Sequence, residues 1–168
     1  MSRWSCRPRC RPEETGRFSI YLLAQEIPSD ELSRFDLGQL ALQEQPVLTD
    51  EGILAYSSST HELELTDAAY QRIKALFVTP VKVSGLPFVV CVGAQRIYAG
   101  AFWTPLSSLS YDGVVILQPL STDTKHIQIE LGYPAPEAFT GNDPRADPRI
   151  THALEAAGKF KWNYFNLW

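Results

Sequence analysis

His61, Glu62 and Glu64 stand together, with the two glutamates at alternate positions. On a strand, alternate residues project from one face, and a pair of carboxylates is what glycoside hydrolysis uses as acid and base or nucleophile. The same alternation, with Leu63 and Leu65 on the other face, is also what any half-solvated strand displays. General acid–base work further demands a raised pKa and convergent geometry, so a small hydrolase using Glu62, Glu64 or His61 is the minor reading.

The other reactive groups are spaced unfavourably. The serines fall in loops without a G-x-S-x-G elbow, and Cys91 sits in an apolar run, where a buried structural thiol is expected. His61, His126 and His152 are scattered singly, and Cys6 and Cys10 have no second pair nearby, which leaves a local disulfide or incidental arm residues ahead of a zinc site. Gly93, Gly100 and Gly113 occur singly, with neither of the glycine-rich patterns that cradle phosphates. Residues 143–149 alternate Asp and Arg around two prolines; they lack the oxygen-ligand spacing of a calcium loop and suit the lead-in to a helix. The expectation is a non-enzymatic chain with no catalytic residue, no metal and no cofactor.

Aromatic residues carry the more specific signal. Tyr98, Phe102, Trp103 and Tyr111 surround the loop Thr104-Pro105-Leu106-Ser107-Ser108, and amphipathic rings of this kind are enriched at interfaces. They are the candidate binding residues; a core role beneath a loop is the plainer alternative. A second group, Trp162, Tyr164, Phe165 and Trp168, loads a terminus that is ordinarily frayed and polar. Such a tail has to dock on its own domain, add to a partner's edge strand or drive self-association. These four are the candidate assembly residues.

The elements that must position these groups follow from periodicity. Alternation predicts strands over 18–24 and 61–65, the latter closing a hairpin across Ser57-Ser58-Ser59, and a brief extended segment at 39–43. Ser29 opens a short helix, and Thr66 caps a firmer one over 67–77, where Ala69, Ile73, Leu76 and Phe77 recur at helical spacing. A continuous apolar run at 88–92, the turn Gly93-Ala94 and a return over 96–103 predict the central hairpin. Strands at 114–117 and 127–131 follow, then a helix capped by Asp147 with Pro148 at its first position and Gly158 beyond its end. Without regular β-α-β alternation, the class is α+β: a mainly antiparallel sheet with two or three helices packed on one face. The divisions are an N-terminal arm at 1–16, disordered or processed, a single domain at 17–160 and the aromatic tail at 161–168.

With 168 residues, 45% hydrophobic and 20% charged, one hydrophobic core is expected. The net charge of -4 gives no pull toward nucleic acid. No run approaches the ~20 apolar residues of a membrane-spanning helix, and no apolar stretch follows Arg3, Arg7, Arg9, Arg11 and Arg17 quickly enough to serve as an export signal. The expected partner is protein or peptide, the chain itself included.

From Leu48-Thr49-Asp50 through the strand His61-Glu62-Leu63-Glu64-Leu65, the helix at 67–77, the run Gly85-Leu86-Pro87-Phe88-Val89-Val90-Cys91-Val92 and the return Arg96-Ile97-Tyr98-Ala99-Gly100-Ala101-Phe102, the order of elements resembles one known family. It is similar to the head of the periplasmic P1 domain of SecD and SecDF, accessory subunits of the Sec protein-export machinery. The resemblance covers about residues 48–118 and rests on pattern and order. It implies an extracytoplasmic, non-enzymatic α+β head that contacts unfolded or exported polypeptide, here as a stand-alone module of a secreted protein or lipoprotein. The family's transmembrane helices and proton-relay residues have no counterpart in this sequence.

Overall fold

The computed structural model describes residues 16–78, 82–120 and 123–161. The arm with Cys6 and Cys10, and the tail residues Trp162, Tyr164, Phe165 and Trp168, lie outside the described residues. In chain order the elements are β1 (Phe18–Leu22), β2 (Leu48–Thr49), β3 (Ile53–Ser57), β4 (Glu62–Leu65), α1 (Asp67–Ala75), β5 (Leu86–Val92), β6 (Gln95–Trp103), β7 (Tyr111–Leu117), β8 (His126–Tyr133), α2 (Pro148–Ala156) and β9 (Phe160–Lys161). The strands form one sheet in the order β2-β1-β5-β6-β7-β8-β4-β3-β9. All neighbours are antiparallel except β6 with β7 and β3 with β9. The expected α+β class, a mostly antiparallel sheet with helices packed on it, is what the chain adopts.

Alternation explains which side chains enter the core. In β4, Leu63 and Leu65 are fully buried while Glu62 and Glu64 face outward. In β5, residues on both faces are buried, because both faces of this strand are covered. Phe18, Ile20, Phe88, Val90, Phe102, Val114, Ile116, Ile127 and Ile129 share a cluster with Ala69, Tyr70 and Ile73 of α1 and Ile150, Ala153 and Leu154 of α2. Both α-helices therefore cover the same face. Each large apolar side chain buried there contributes about 1.5–3 kcal/mol.

Local signals set the helix limits. Thr66 accepts a hydrogen bond from the Ala69 amide at 3.2 Å, and Asp147 accepts one from Arg149 at 2.9 Å, each satisfying an amide that has no partner within the helix. Gly158, at φ 72°, follows α2 and donates to the Glu155 carbonyl. The expected helix at 67–77 ends earlier, at Ala75, with Leu76 and Phe77 in a turn. The segment after Pro28 is a 3-10 helix, Ser29–Arg34, without a side-chain cap. Leu42 of the expected extended segment makes only an isolated bridge with Leu23.

The second face of the sheet is covered by chain and loops in place of α-helices. Leu32 and Leu40 pack on Val89 and Cys91, while Trp103, Tyr111 and Val115 form a neighbouring cluster. Among the described residues, no helix is long and apolar enough to cross a membrane.

Candidate functional site

The four rings singled out in the sequence do not form one exposed patch. Tyr98, Phe102, Trp103 and Tyr111 are all at most 7% exposed, and strand parity divides them. Tyr98 and Phe102 point into the core beneath the helices, whereas Trp103 and Tyr111 pack on the opposite face. Trp103 stacks on Tyr111, with ring centroids 5.1 Å apart and planes 12° apart, and Tyr133 leans on it at 5.8 Å. As folded, these side chains are core and present no docking surface; the loop that follows them is what reaches solvent.

That loop starts at a gathered end of the sheet and crosses back to the start of β7 at the other end. Because β6 and β7 run parallel, both chains leave at the same end, and antiparallel β5 begins there. The Gln118 amide donates to the Trp103 carbonyl at 2.8 Å, the Thr104 hydroxyl to Gln118 Oε1 at 2.9 Å and the Ser107 hydroxyl to the Val83 carbonyl at 2.5 Å. These bonds tie three loops together. Of the seven large hydrophobic side chains exposed among the described residues, four lie on them: Val83, Leu106, Leu109 and Leu120. A fifth, Val78, follows Phe77, whose ring meets Phe102 edge-on at 6.3 Å. Leu106 and Leu120 are 77% and 71% exposed. Single exposed apolar residues are unremarkable; it is contiguous apolar patches that mark interaction surfaces.

A cleft of about 590 Å³ opens beside Val83, between residues 23–28 and residues 82–87. Leu23, Ile27, Leu86 and Pro87 give it apolar walls, and Gln25, Gln43 and Ser84 supply polar groups. Lys82 and Glu26 face each other across it, Nζ to Oε1 at 3.6 Å, and both are largely exposed. Its lining is about evenly divided between polar and apolar groups, whereas small-molecule pockets are mostly apolar. None of the four rings singled out in the sequence lines this cleft.

The carboxylates considered for hydrolysis lie elsewhere, on a solvent-facing part of the sheet. Glu62 Oε1 is 3.1 Å from His126 Nδ1, Glu64 Oε2 is 4.0 Å from His126 Nε2, and Lys161 Nζ is 3.0 Å from Glu64 Oε2. The Lys161 hydrogen bond holds the Glu64 carboxyl below its ordinary range, the opposite of what a general acid needs. His61 is not part of that group. It sits at φ 54° in the β3–β4 turn, and its Nδ1 shares a 2.9 Å hydrogen bond with the Tyr56 hydroxyl. Burial, then nearby Arg145, pushes its pKa down. Burial also pushes the phenol of Tyr98 up, and its hydroxyl has no hydrogen-bond partner among the described residues. Arg145 grips Asp143 with two nitrogens and donates to the Ile129 carbonyl, clamping the lead-in of α2 onto β8.

Among the described residues no three His, Cys, Asp or Glu side chains are grouped to hold a metal ion. No protein-family model matches the chain, and no curated protein matches it.

Proposed function

We propose that this chain is a protein- or peptide-binding module whose site is the cleft between residues 23–28 and 82–87, extended by the apolar loops at the same end of the sheet. The observation that carries this reading is that the exposed Val83, Leu106, Leu109 and Leu120 lie on loops joined by hydrogen bonds, and that Lys82 and Ser84, the neighbours of Val83, line the cleft. The occupant is an extended polypeptide segment with apolar side chains: its backbone meets the polar groups of the cleft and its side chains cover the exposed leucines. A net charge of -4 favours neutral or basic segments over acidic ones. The resemblance to the SecD head implies the same ligand class and a site of action outside the cytoplasm.

The test is fluorescence polarisation with a labelled decapeptide of alternating leucine and threonine carrying one arginine. Leu106→Ser/Leu109→Ser should weaken binding at least about tenfold, since each leucine covered contributes about 1.5–3 kcal/mol, with folding stability within about 0.5 kcal/mol of the parent. Unchanged affinity in the folded variant would remove this surface from the reading.

A second reading, a structural subunit assembling through the aromatic tail, is favoured by one observation. The chain enters that segment from β9, the edge strand that pairs with β3 at Tyr56 and Ser57. Deleting residues 162–168 and measuring mass by light scattering separates the two: a shift from oligomer to monomer supports assembly, and an unchanged monomer removes it.

A further inference from the structure

Residues 25–40 leave the sheet and return to it at one point. The Ala24 amide donates to the Ala41 carbonyl at 2.8 Å, Gln43 donates to Leu22 at 2.9 Å, and Leu23 bridges Leu42. Sixteen residues with joined ends constitute an Ω-loop, a compact unit often tied to function. Between those ends its backbone hydrogen bonds among the described residues are local, Glu31 to Pro28, Phe35 to Leu32, Gln39 to Asp36 and Leu40 to Leu37, all within 3-10 turns. The loop is held down by side chains instead: Leu32 and Leu40 on Val89 and Cys91, and the Arg96 guanidinium donating to the carbonyls of Leu37 and Leu40.

The contact is imperfectly satisfied. Ser29 Oγ and Trp103 Nε1 are both buried with no hydrogen-bond partner among the described residues. Ser29 Oγ and the carbon edge of the Trp103 ring both close on Gly85, where an added Cβ would lie 2.5 Å from the ring and 2.9 Å from Ser29 Oγ. A buried polar group left without a partner disfavours the closed state, because opening returns it to water. Few backbone bonds and unsatisfied burial are the marks of a unit that opens below the threshold of global unfolding.

We infer that residues 25–40 form a hinged cover, opening at the Ala24–Ala41 junction to uncover Cys91 and the Trp103–Tyr111 stack and to widen the cleft whose wall they supply. The cover sits on the face away from α1 and α2, so it opens without disturbing the main core. This inference does not depend on the identity of any ligand.

Cys91 is a built-in reporter, being a free thiol that is 3% exposed beneath Leu32 and Leu40. In a Cys6→Ser/Cys10→Ser background, its labelling by a thiol reagent is followed against urea, beside global unfolding measured by far-ultraviolet circular dichroism. The expected result is labelling through an opening whose urea slope is under about a third of the global slope, because that slope scales with the surface exposed. Arg96→Gln, which removes the tether, should speed labelling in water about tenfold. Leu32→Ala should speed it about 30-fold. Neither should shift the global midpoint in proportion. Labelling that carries the full global slope, with both variants changing labelling and global stability by the same factor, would overturn the inference; Arg96→Gln alone suffices if Leu32→Ala does not fold.

Discussion

Replacing Trp103 by alanine would remove the largest side chain of the cluster on the sheet's second face, where it is 2% exposed between Tyr111 and Tyr133. Burial and the cavity left behind put the loss at about 3–5 kcal/mol, of which stacking on Tyr111 contributes about 1 kcal/mol. That is a large part of the roughly 5–15 kcal/mol that holds a typical domain together. Trp103→Phe should lose only about 1–2 kcal/mol, because the indole N–H has no partner among the described residues and takes no hydrogen bond with it. Urea unfolding followed by circular dichroism reads both values, and a double-mutant cycle with Tyr111→Ala isolates the stack. A Trp103→Ala protein within about 1 kcal/mol of the parent would refute the placement of Trp103 in the core and return it to the exposed surface expected from its neighbours in sequence.

His61 titrates with a pKa held below its ordinary 6.5, so the unfolded chain takes up its proton first. Stability from this group is therefore fully present well above pH 6.5 and is lost as the pH falls through 6.5 toward the lowered folded-state value; His61→Asn, which tolerates the φ of 54°, should flatten that fall in urea midpoints measured across the range. Gly100→Ala places a Cβ 2.6 Å from the Val114 carbonyl and from Phe88, between paired strands that cannot separate, and should lower stability by about 1–3 kcal/mol in the same assay. Removing both charges of the cleft-spanning pair with Lys82→Ala/Glu26→Ala should change stability by less than about 0.5 kcal/mol, because both side chains are largely exposed, and a larger loss in urea unfolding would contradict that.

Much of the sheet was legible because its strands are amphipathic or wholly apolar. The alternation of Leu63 and Leu65 with Glu62 and Glu64, the run 88–92 and the caps at Thr66 and Asp147 each depend on interactions within a few residues. What escaped depends on distant contacts. The parallel pairing of β6 with β7 follows from how the 104–110 loop packs, and nothing in either strand distinguishes it from a hairpin. Ser29–Arg34 carries the acids of a helix start, yet it lies flat against the sheet as a 3-10 turn. The division of the aromatic quartet was countable: Tyr98 and Phe102 share parity and Trp103 does not. The cleft was not countable, since its walls, residues 23–28 and 82–87, lie far apart in sequence and are brought together beside β5.

The most direct measurement is to place the bound peptide on the protein. The leucine–threonine decapeptide, carrying a photoreactive benzophenone in place of one leucine, is irradiated with the domain and its adducts are mapped by mass spectrometry. Adducts within 23–28, 82–87 and 104–110, competed away by unlabelled peptide, are the predicted result. Adducts concentrated on α1, α2 or the Glu62–His126 face would contradict it.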